Sequence, residues 1–120
     1  MCQLTALNIG GRIVNVASIK SEYIKNIVAS SSKCNVIEKV ILFGSAIEER
    51  CKEESDIDIA VFGKETKSKV FKSKDYRDFV NSVVSFGEIQ DYDILYFDSN
   101  KKYDSAIMKN INNGEVLFVR

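Results

Sequence analysis

The segment ILFGSAIEERCKEESDIDIAVFG, residues 41–63, contains two predicted strands and the turn between them. Its first apolar run is short and β-branched, as a central strand would be, and leads straight into Gly44 and Ser45. The second run, DIDIAVF, alternates with a period of two. The stretch therefore predicts two strands that place Asp56 and Asp58 on one face of an otherwise apolar strand.

Hydrophobic periodicity extends this pattern along the chain and predicts one α/β (α+β) domain over residues 18–120. Residues 1–17, with Gly10 and Gly11 between two apolar stretches, predict a hairpin or an irregular arm. The predicted elements are a helix over 18–32 with Ser18 as its N-cap, a strand over 37–43, a short helix over 45–52, a strand over 56–62, a loop over 64–75, a helix over 76–86, a strand over 92–97, a helix over 103–114 and a strand over 115–119.

The charge balance gives no global attraction for nucleic acids or anionic membranes, because 17 basic residues match 17 acidic ones. The lysine-rich segment 64–75 is interrupted by acids and has no accompanying series of aromatic residues, which favours a solvated loop over a nucleic-acid surface. We therefore expect neither a nucleic-acid partner nor a membrane contact.

The residue types also limit the chemistry. The chain has no histidine, which excludes Ser-His-Asp and Cys-His catalysis and most zinc sites. Its three cysteines are widely spaced, which predicts reduced thiols rather than disulfides. With no signal pattern and no apolar run of roughly 20 residues, we expect a cytoplasmic protein whose reactive groups are carboxylates.

The two aspartates predict a metal site. Same-face residues of a strand lie roughly 6 to 7 Å apart, so Asp56 and Asp58 can share a cation that relieves their repulsion. Asp93 heads a later strand and can add a third carboxylate, a set of hard oxygen ligands that suits Mg²⁺ or Mn²⁺. Gly44 allows close backbone approach to a ligand, and Ser45 with nearby N–H groups can hold an anion.

Less specific interpretations stay open at this point. The two aspartates could be solvated on an exposed strand face, and Ser45 could serve only as a helix cap. Asp91 and Glu88 compete with Asp93 for the third position, although Asp93 directly precedes the apolar run.

Gly44-Ser45, ten intervening residues, Asp56-x-Asp58 and a later strand acid resemble the minimal nucleotidyltransferases of the DNA polymerase β superfamily, over about residues 20–119. The resemblance implies a polymerase-β-like fold, a small mixed sheet flanked by helices. It also implies transfer of a nucleoside monophosphate from ATP or another NTP to an acceptor hydroxyl. In that family's pattern the three acids hold two Mg²⁺ ions, Asp93 assists deprotonation of the acceptor, and Gly44 and Ser45 hold the β- and γ-phosphates.

One position departs from the family pattern, since a basic or aromatic residue often follows Gly-Ser and here it is Ala46. Weaker triphosphate binding is expected, unless Arg50 or Lys52 compensates. Small free-standing members of the family often act as antitoxins that adenylylate a helical HEPN-type toxin, and this is the function that the resemblance favours. Two alternatives are a catalytically weak or inactive module that neutralises its partner by contact, and a transferase for small molecules such as aminoglycosides. An oligomer also stays open.

Overall fold

The structure is a computed structural model that describes residues 2–87 and 89–120. The chain opens with an antiparallel hairpin of β1 (Leu4–Ile9) and β2 (Arg12–Ala17). Gly10 and Gly11 both have positive φ angles, 56° and 84°, as a two-residue type I′ hairpin turn requires. The N-terminal residues 4–17 therefore form a hairpin rather than an irregular arm.

A four-stranded mixed sheet forms the centre of the molecule, in the order β5-β4-β3-β6. Its strands are β3 (Lys39–Phe43), β4 (Ile57–Gly63), β5 (Tyr92–Asp98) and β6 (Glu115–Val119). β3 pairs antiparallel with β4 and β6, whereas β4 and β5 run parallel. The parallel pair needs a long crossover, which the helical segment between β4 and β5 supplies.

The helices cover both faces of this sheet. They are α1 (Ser21–Ser32), α2 (Lys67–Lys72), α3 (Lys74–Val84) and α4 (Ala106–Asn112), with 3₁₀ turns at Ser18–Lys20 and Gly44–Ile47. The main core contains Ile57, Ile59 and Val61 from one face of β4, and a smaller core beside α4 contains Ala60 from the other. The small mixed sheet flanked by helices is as predicted. Within the described residues, no helix combines the length and apolar character needed to cross a membrane.

The predicted loop over 64–75 is wrong, because it contains α2 and the start of α3. The Thr66 hydroxyl accepts a hydrogen bond from the Lys69 N–H at 3.3 Å, and the Ser73 hydroxyl accepts one from the Tyr76 N–H at 3.1 Å. These two N-caps begin the helices. Val70, fully buried, anchors α2 to the main core although lysines surround it in the sequence.

Four other elements differ from the predictions. Ser18 is not the cap of α1, because it begins a separate 3₁₀ turn and α1 starts at Ser21. The predicted helix over 45–52 is a four-residue 3₁₀ turn, since the backbone extends at Glu48 and buries Cys51. β4 begins at Ile57, so Asp56 precedes the strand, and α4 occupies only the middle of the predicted helix over 103–114.

Candidate active site

Strand pairing brings the Gly-Ser turn and two of the predicted acids to one end of the sheet. Asp58 is the register partner of Phe43, the last residue of β3, and Gly44 follows Phe43 directly. On the other side of β4, Asp58 is the parallel register partner of Asp93. Adjacent strands lie about 4.8 Å apart, so these backbone positions are direct neighbours.

Gly44 lies against the Asp58 carboxylate. Its φ of +74° is in the left-handed region, which favours glycine. A Cβ added there would stand 3.2 Å from Asp58 Cγ and would collide with Oδ2. The glycine is therefore required both by the backbone angle and by the carboxylate packed against it.

Asp58 is half-buried at this position, and its pKa is raised. Burial is the largest cause, followed by repulsion from Asp93 and then from Asp56, while Arg50 acts in the opposite direction. The neutral form of Asp58 is thus favoured in the folded protein compared with an exposed aspartate. Asp93 and Asp56 are therefore close enough to Asp58 to raise its pKa.

Asp56 and Asp93 are exposed, in contrast to Asp58. Asp56 follows a tight turn in which the Ser55 N–H donates to the Lys52 carbonyl at 3.0 Å. Asp91 precedes β5 and uses its backbone carbonyl to accept from the Ile57 N–H at 3.0 Å, so Asp93, not Asp91, is the residue beside Asp58. The competing acid Glu88 lies outside the described residues.

In the described residues the acids do not form a preformed metal-binding site. Over residues 2–87 and 89–120, no group of three or more histidine, cysteine, aspartate or glutamate side chains is arranged to hold a metal ion. The donor chemistry nevertheless fits Mg²⁺, because carboxylate oxygens are its preferred protein ligands and Asp58 stands among like charges that a cation would relieve. These acids are the residues that would hold the ion.

A groove of about 260 Å³ opens beside Gly44. Two of the side chains that line it, Asn110 and Asn113, come from the C-terminal end of α4, and no sequence pattern had indicated them. Asn113 is also the C-cap residue of α4. The groove is lined by Gly44, Ile47, Glu48, Arg50, Asn110 and Asn113.

Cavity size alone does not identify the site. A larger cavity, about 410 Å³, opens beside Lys39 and Asp98. These residues lie at the start of β3 and the end of β5, the opposite end of the strands from Asp58 and Asp93. The candidate active site is therefore placed by its carboxylates and by the glycine turn.

The basic group in the groove is Arg50. Its guanidinium donates to Glu48 Oε1 at 2.9 Å, and 68% of its side chain is exposed. Ala46, which replaces the expected basic or aromatic residue, is fully buried in the main core. Position 46 is therefore directed away from the groove, whereas Arg50 can reach a ligand beside Gly44 if it leaves Glu48.

Ser45 is the second residue of the 3₁₀ turn and not its cap, which is Phe43. Its carbonyl accepts from the Glu48 N–H at 2.9 Å, which closes the turn. The residue is half-buried next to Gly44. The turn is too short for a helix dipole of useful size, so any anion binding here depends on the hydroxyl and on local N–H groups.

The comparison with protein families agrees with this arrangement. The family model described as polymerase beta, nucleotidyltransferase, matches residues 22–120. The chain belongs to this family. The matched region includes the Gly-Ser turn, all three acids and α4, and it leaves out the hairpin. No curated protein matches the chain. The family membership confirms the nucleotidyltransferase prediction at the level of the general activity.

Proposed function

We propose that this nucleotidyltransferase transfers AMP from ATP to a hydroxyl group of a partner protein, with Asp56, Asp58 and Asp93 as its Mg²⁺ ligands. The observation that carries the proposal is the position of Asp58, which contacts Gly44 on one side and pairs with Asp93 on the other. A half-buried carboxylate with a raised pKa lowers the stability of the folded protein, so Asp58 is a candidate for a functional role in which a bound ligand offsets its charge.

In the proposed reaction the acceptor oxygen attacks the α-phosphorus, the bond from that phosphorus to the β-phosphate bridging oxygen breaks, and pyrophosphate leaves. Asp93 is exposed and takes the proton of the acceptor hydroxyl. Gly44 lets the triphosphate approach the backbone, and Ser45 and Arg50 hold its outer phosphates. Bound Mg²⁺ would stabilise the negative charge on the reacting phosphates.

The accessibility of the acids supports a macromolecular acceptor. Asp56 and Asp93 are exposed, and β5 is an edge strand of the sheet. An acceptor side chain on another protein can therefore reach the acids from solvent. By analogy with the family, we propose a HEPN-type toxin as that partner and an antitoxin role for this chain. Its cysteines are free thiols, which suits the reducing environment of the cytoplasm.

Two observations favour a second candidate, a module that neutralises its partner by contact alone. Ala46 is buried and supplies no phosphate contact, and the described part of the chain has no three-ligand metal group. Neutralisation by contact requires the fold and a surface that binds the partner, but it does not require the acids.

One experiment separates the two candidates. The protein is incubated with Mg²⁺ and the product of the neighbouring gene, once with ATP labelled at the α-phosphate and once at the γ-phosphate. AMP transfer labels the neighbour only from the α-position, and Asp58→Asn abolishes the label. Asp91→Asn, an exposed acid nearby, is the matched control and keeps it. If wild type and Asp58→Asn both inhibit the neighbour without labelling it, contact alone explains the function. A panel of the four NTPs then tests the preference for ATP.

A further inference from the structure

Lys20 is an unusual residue for a protein interior, because it is charged and only 1% exposed. Its ammonium donates three hydrogen bonds, to the Glu53 carbonyl at 2.8 Å, the Ser55 carbonyl at 2.8 Å and Gln90 Oε1 at 2.5 Å. Three donors thus meet three oxygens. Among the described residues no carboxylate lies within ion-pair distance of this ammonium.

The three oxygens lie on the two segments that enter the acid-bearing strands. Glu53 and Ser55 belong to the loop before β4, and Gln90 belongs to the segment before β5. Gln90 strengthens the connection, because its Nε2 donates to the Ser55 carbonyl at 3.0 Å and to the Asp91 carbonyl at 2.7 Å. Lys20 and Gln90 therefore join both strand entries in one partly buried network.

Asp56 is the acid whose position depends on this network. Asp58 and Asp93 are held by the hydrogen bonds of β4 and β5, whereas Asp56 precedes the first strand residue, Ile57. The residue immediately before it, Ser55, has its carbonyl held by both Lys20 and Gln90. The hydrogen bond from the Ile57 N–H to the Asp91 carbonyl fixes the backbone after Asp56, and the network fixes the backbone before it.

We propose that Lys20 is a positioning residue for the metal-nucleotide site, acting with Gln90 through the Ser55 carbonyl to place Asp56 beside Asp58. This inference rests on the proposed function, since it assumes that Asp56 is a ligand of the ion. Its contribution is indirect, because Lys20 contacts the backbone of the loop and not the substrate. Groups that orient metal ligands typically change metal affinity by about 10- to 100-fold when they are removed.

The test measures the Kd of Mn²⁺ by the loss of the free-ion EPR signal, in the presence of a non-hydrolysable ATP analogue. Lys20→Met keeps the apolar stem and removes the three donors. We expect this variant to bind Mn²⁺ at least tenfold more weakly than wild type. Ile27→Val is the matched control, because Ile27 is also fully buried and lies in α1 but contacts neither strand entry through a hydrogen bond. It should lower stability and change the Kd by less than twofold.

Gln90→Ala provides a second route if Lys20→Met does not fold, since Gln90 is less buried than Lys20. This substitution removes three hydrogen bonds of the network, including the one that Gln90 accepts from Lys20. It too should weaken Mn²⁺ binding, and amide hydrogen exchange at Ile57 should become faster. A folded Lys20→Met, or failing that a folded Gln90→Ala, with wild-type Mn²⁺ affinity overturns the inference and leaves the proposed function intact. Absence of Mn²⁺ binding by the wild-type protein overturns both.

Discussion

Replacing Asp58 with asparagine should make the metal-free protein more stable while it abolishes nucleotide transfer. The reason is the raised pKa of Asp58, caused first by burial and then by repulsion from Asp93 and Asp56. Asparagine keeps the size and shape of the side chain and removes the charge. The same substitution therefore tests two effects of the carboxylate separately, the loss of stability in the metal-free protein and the support of nucleotide transfer.

The magnitude follows from the strand geometry. Carboxylates on directly paired residues of adjacent strands lie roughly 5 Å apart, and their repulsion is about 0.8 kcal/mol at the dielectric constant of water and about 3 kcal/mol at an effective value of 20. Asp93 is exposed, so solvent screening favours the lower end of this range. We expect a gain of about 1 kcal/mol in the free energy of unfolding, or roughly 3 to 5 °C in Tm for a domain of this size.

The stability difference between wild type and Asp58→Asn should depend on pH. Because the folded-state pKa of Asp58 lies above its unfolded value, the stability contributed by its neutral form is fully present below about pH 4 and is lost as the pH rises through the folded pKa. The stability gained by Asp58→Asn should therefore be small near pH 4 and should grow towards neutral pH, where it levels off.

Urea unfolding followed by far-UV circular dichroism from pH 4 to 8 measures this difference, since the chain has no tryptophan for fluorescence. Asp91→Asn is the control and should not show the same pH-dependent gain. Addition of Mg²⁺ and nucleotide at 100 times Kd should stabilise wild type by about 2.7 kcal/mol and leave Asp58→Asn nearly unchanged, so the order of stability reverses. If the variant is less stable than wild type at pH 7, or if its gain does not depend on pH, the Asp58 carboxylate does not destabilise the metal-free protein.

Three further substitutions test neighbouring parts of the structure. Gly44→Ala should cost about 2 kcal/mol in urea unfolding and abolish transfer, because of its positive φ and the collision with Asp58; a stable, active variant would contradict the tight approach. Arg50→Ala should raise the KM for ATP and leave Tm unchanged, because its partner Glu48 is also exposed; an unaltered KM would exclude Arg50 from triphosphate binding. Tyr92→Phe should be neutral or stabilising by about 1 kcal/mol, because the Tyr92 hydroxyl is buried without a partner among the described residues and its pKa is raised to about 12; a clear loss of stability would reveal a partner for the hydroxyl.

The elements near the candidate site could be predicted because their signals are local. Two strands can be identified from local sequence alone, one from the β-branched run before Gly44 and the other from the period-two run around Asp58. The parallel pairing of β4 with β5 then brings Asp93 beside Asp58. What could not be predicted is the side-chain geometry, including the exposure of Asp56 and the lack of a preformed three-ligand group in the described residues.

The features that the sequence did not reveal depend on tertiary contacts. Helix α2 has one buried residue, Val70, surrounded by lysines, so its hydrophobic pattern is too weak to distinguish it from a loop. Lysine is normally a surface residue, and the burial of Lys20 is explained by three oxygens more than 30 residues away, the carbonyls of Glu53 and Ser55 and the side chain of Gln90. Such long-range partners leave no periodic signal in the chain.

The position of Asp58 also explains why charge occurs within a strand whose other residues are apolar. Four other residues of β4, Ile57, Ile59, Ala60 and Val61, are fully buried. All four pair with β5 and the last three also pair with β3, so they can hold one unfavourable carboxylate at a defined place. On a flexible loop the same carboxylate could turn into solvent. Its energy would then be lower, but it would no longer be held at a defined position. In this protein the packing of β4 therefore holds the Asp58 carboxylate where its charge is unfavourable without a ligand. A bound cation would relieve the repulsion that Asp58 experiences from Asp93 and Asp56.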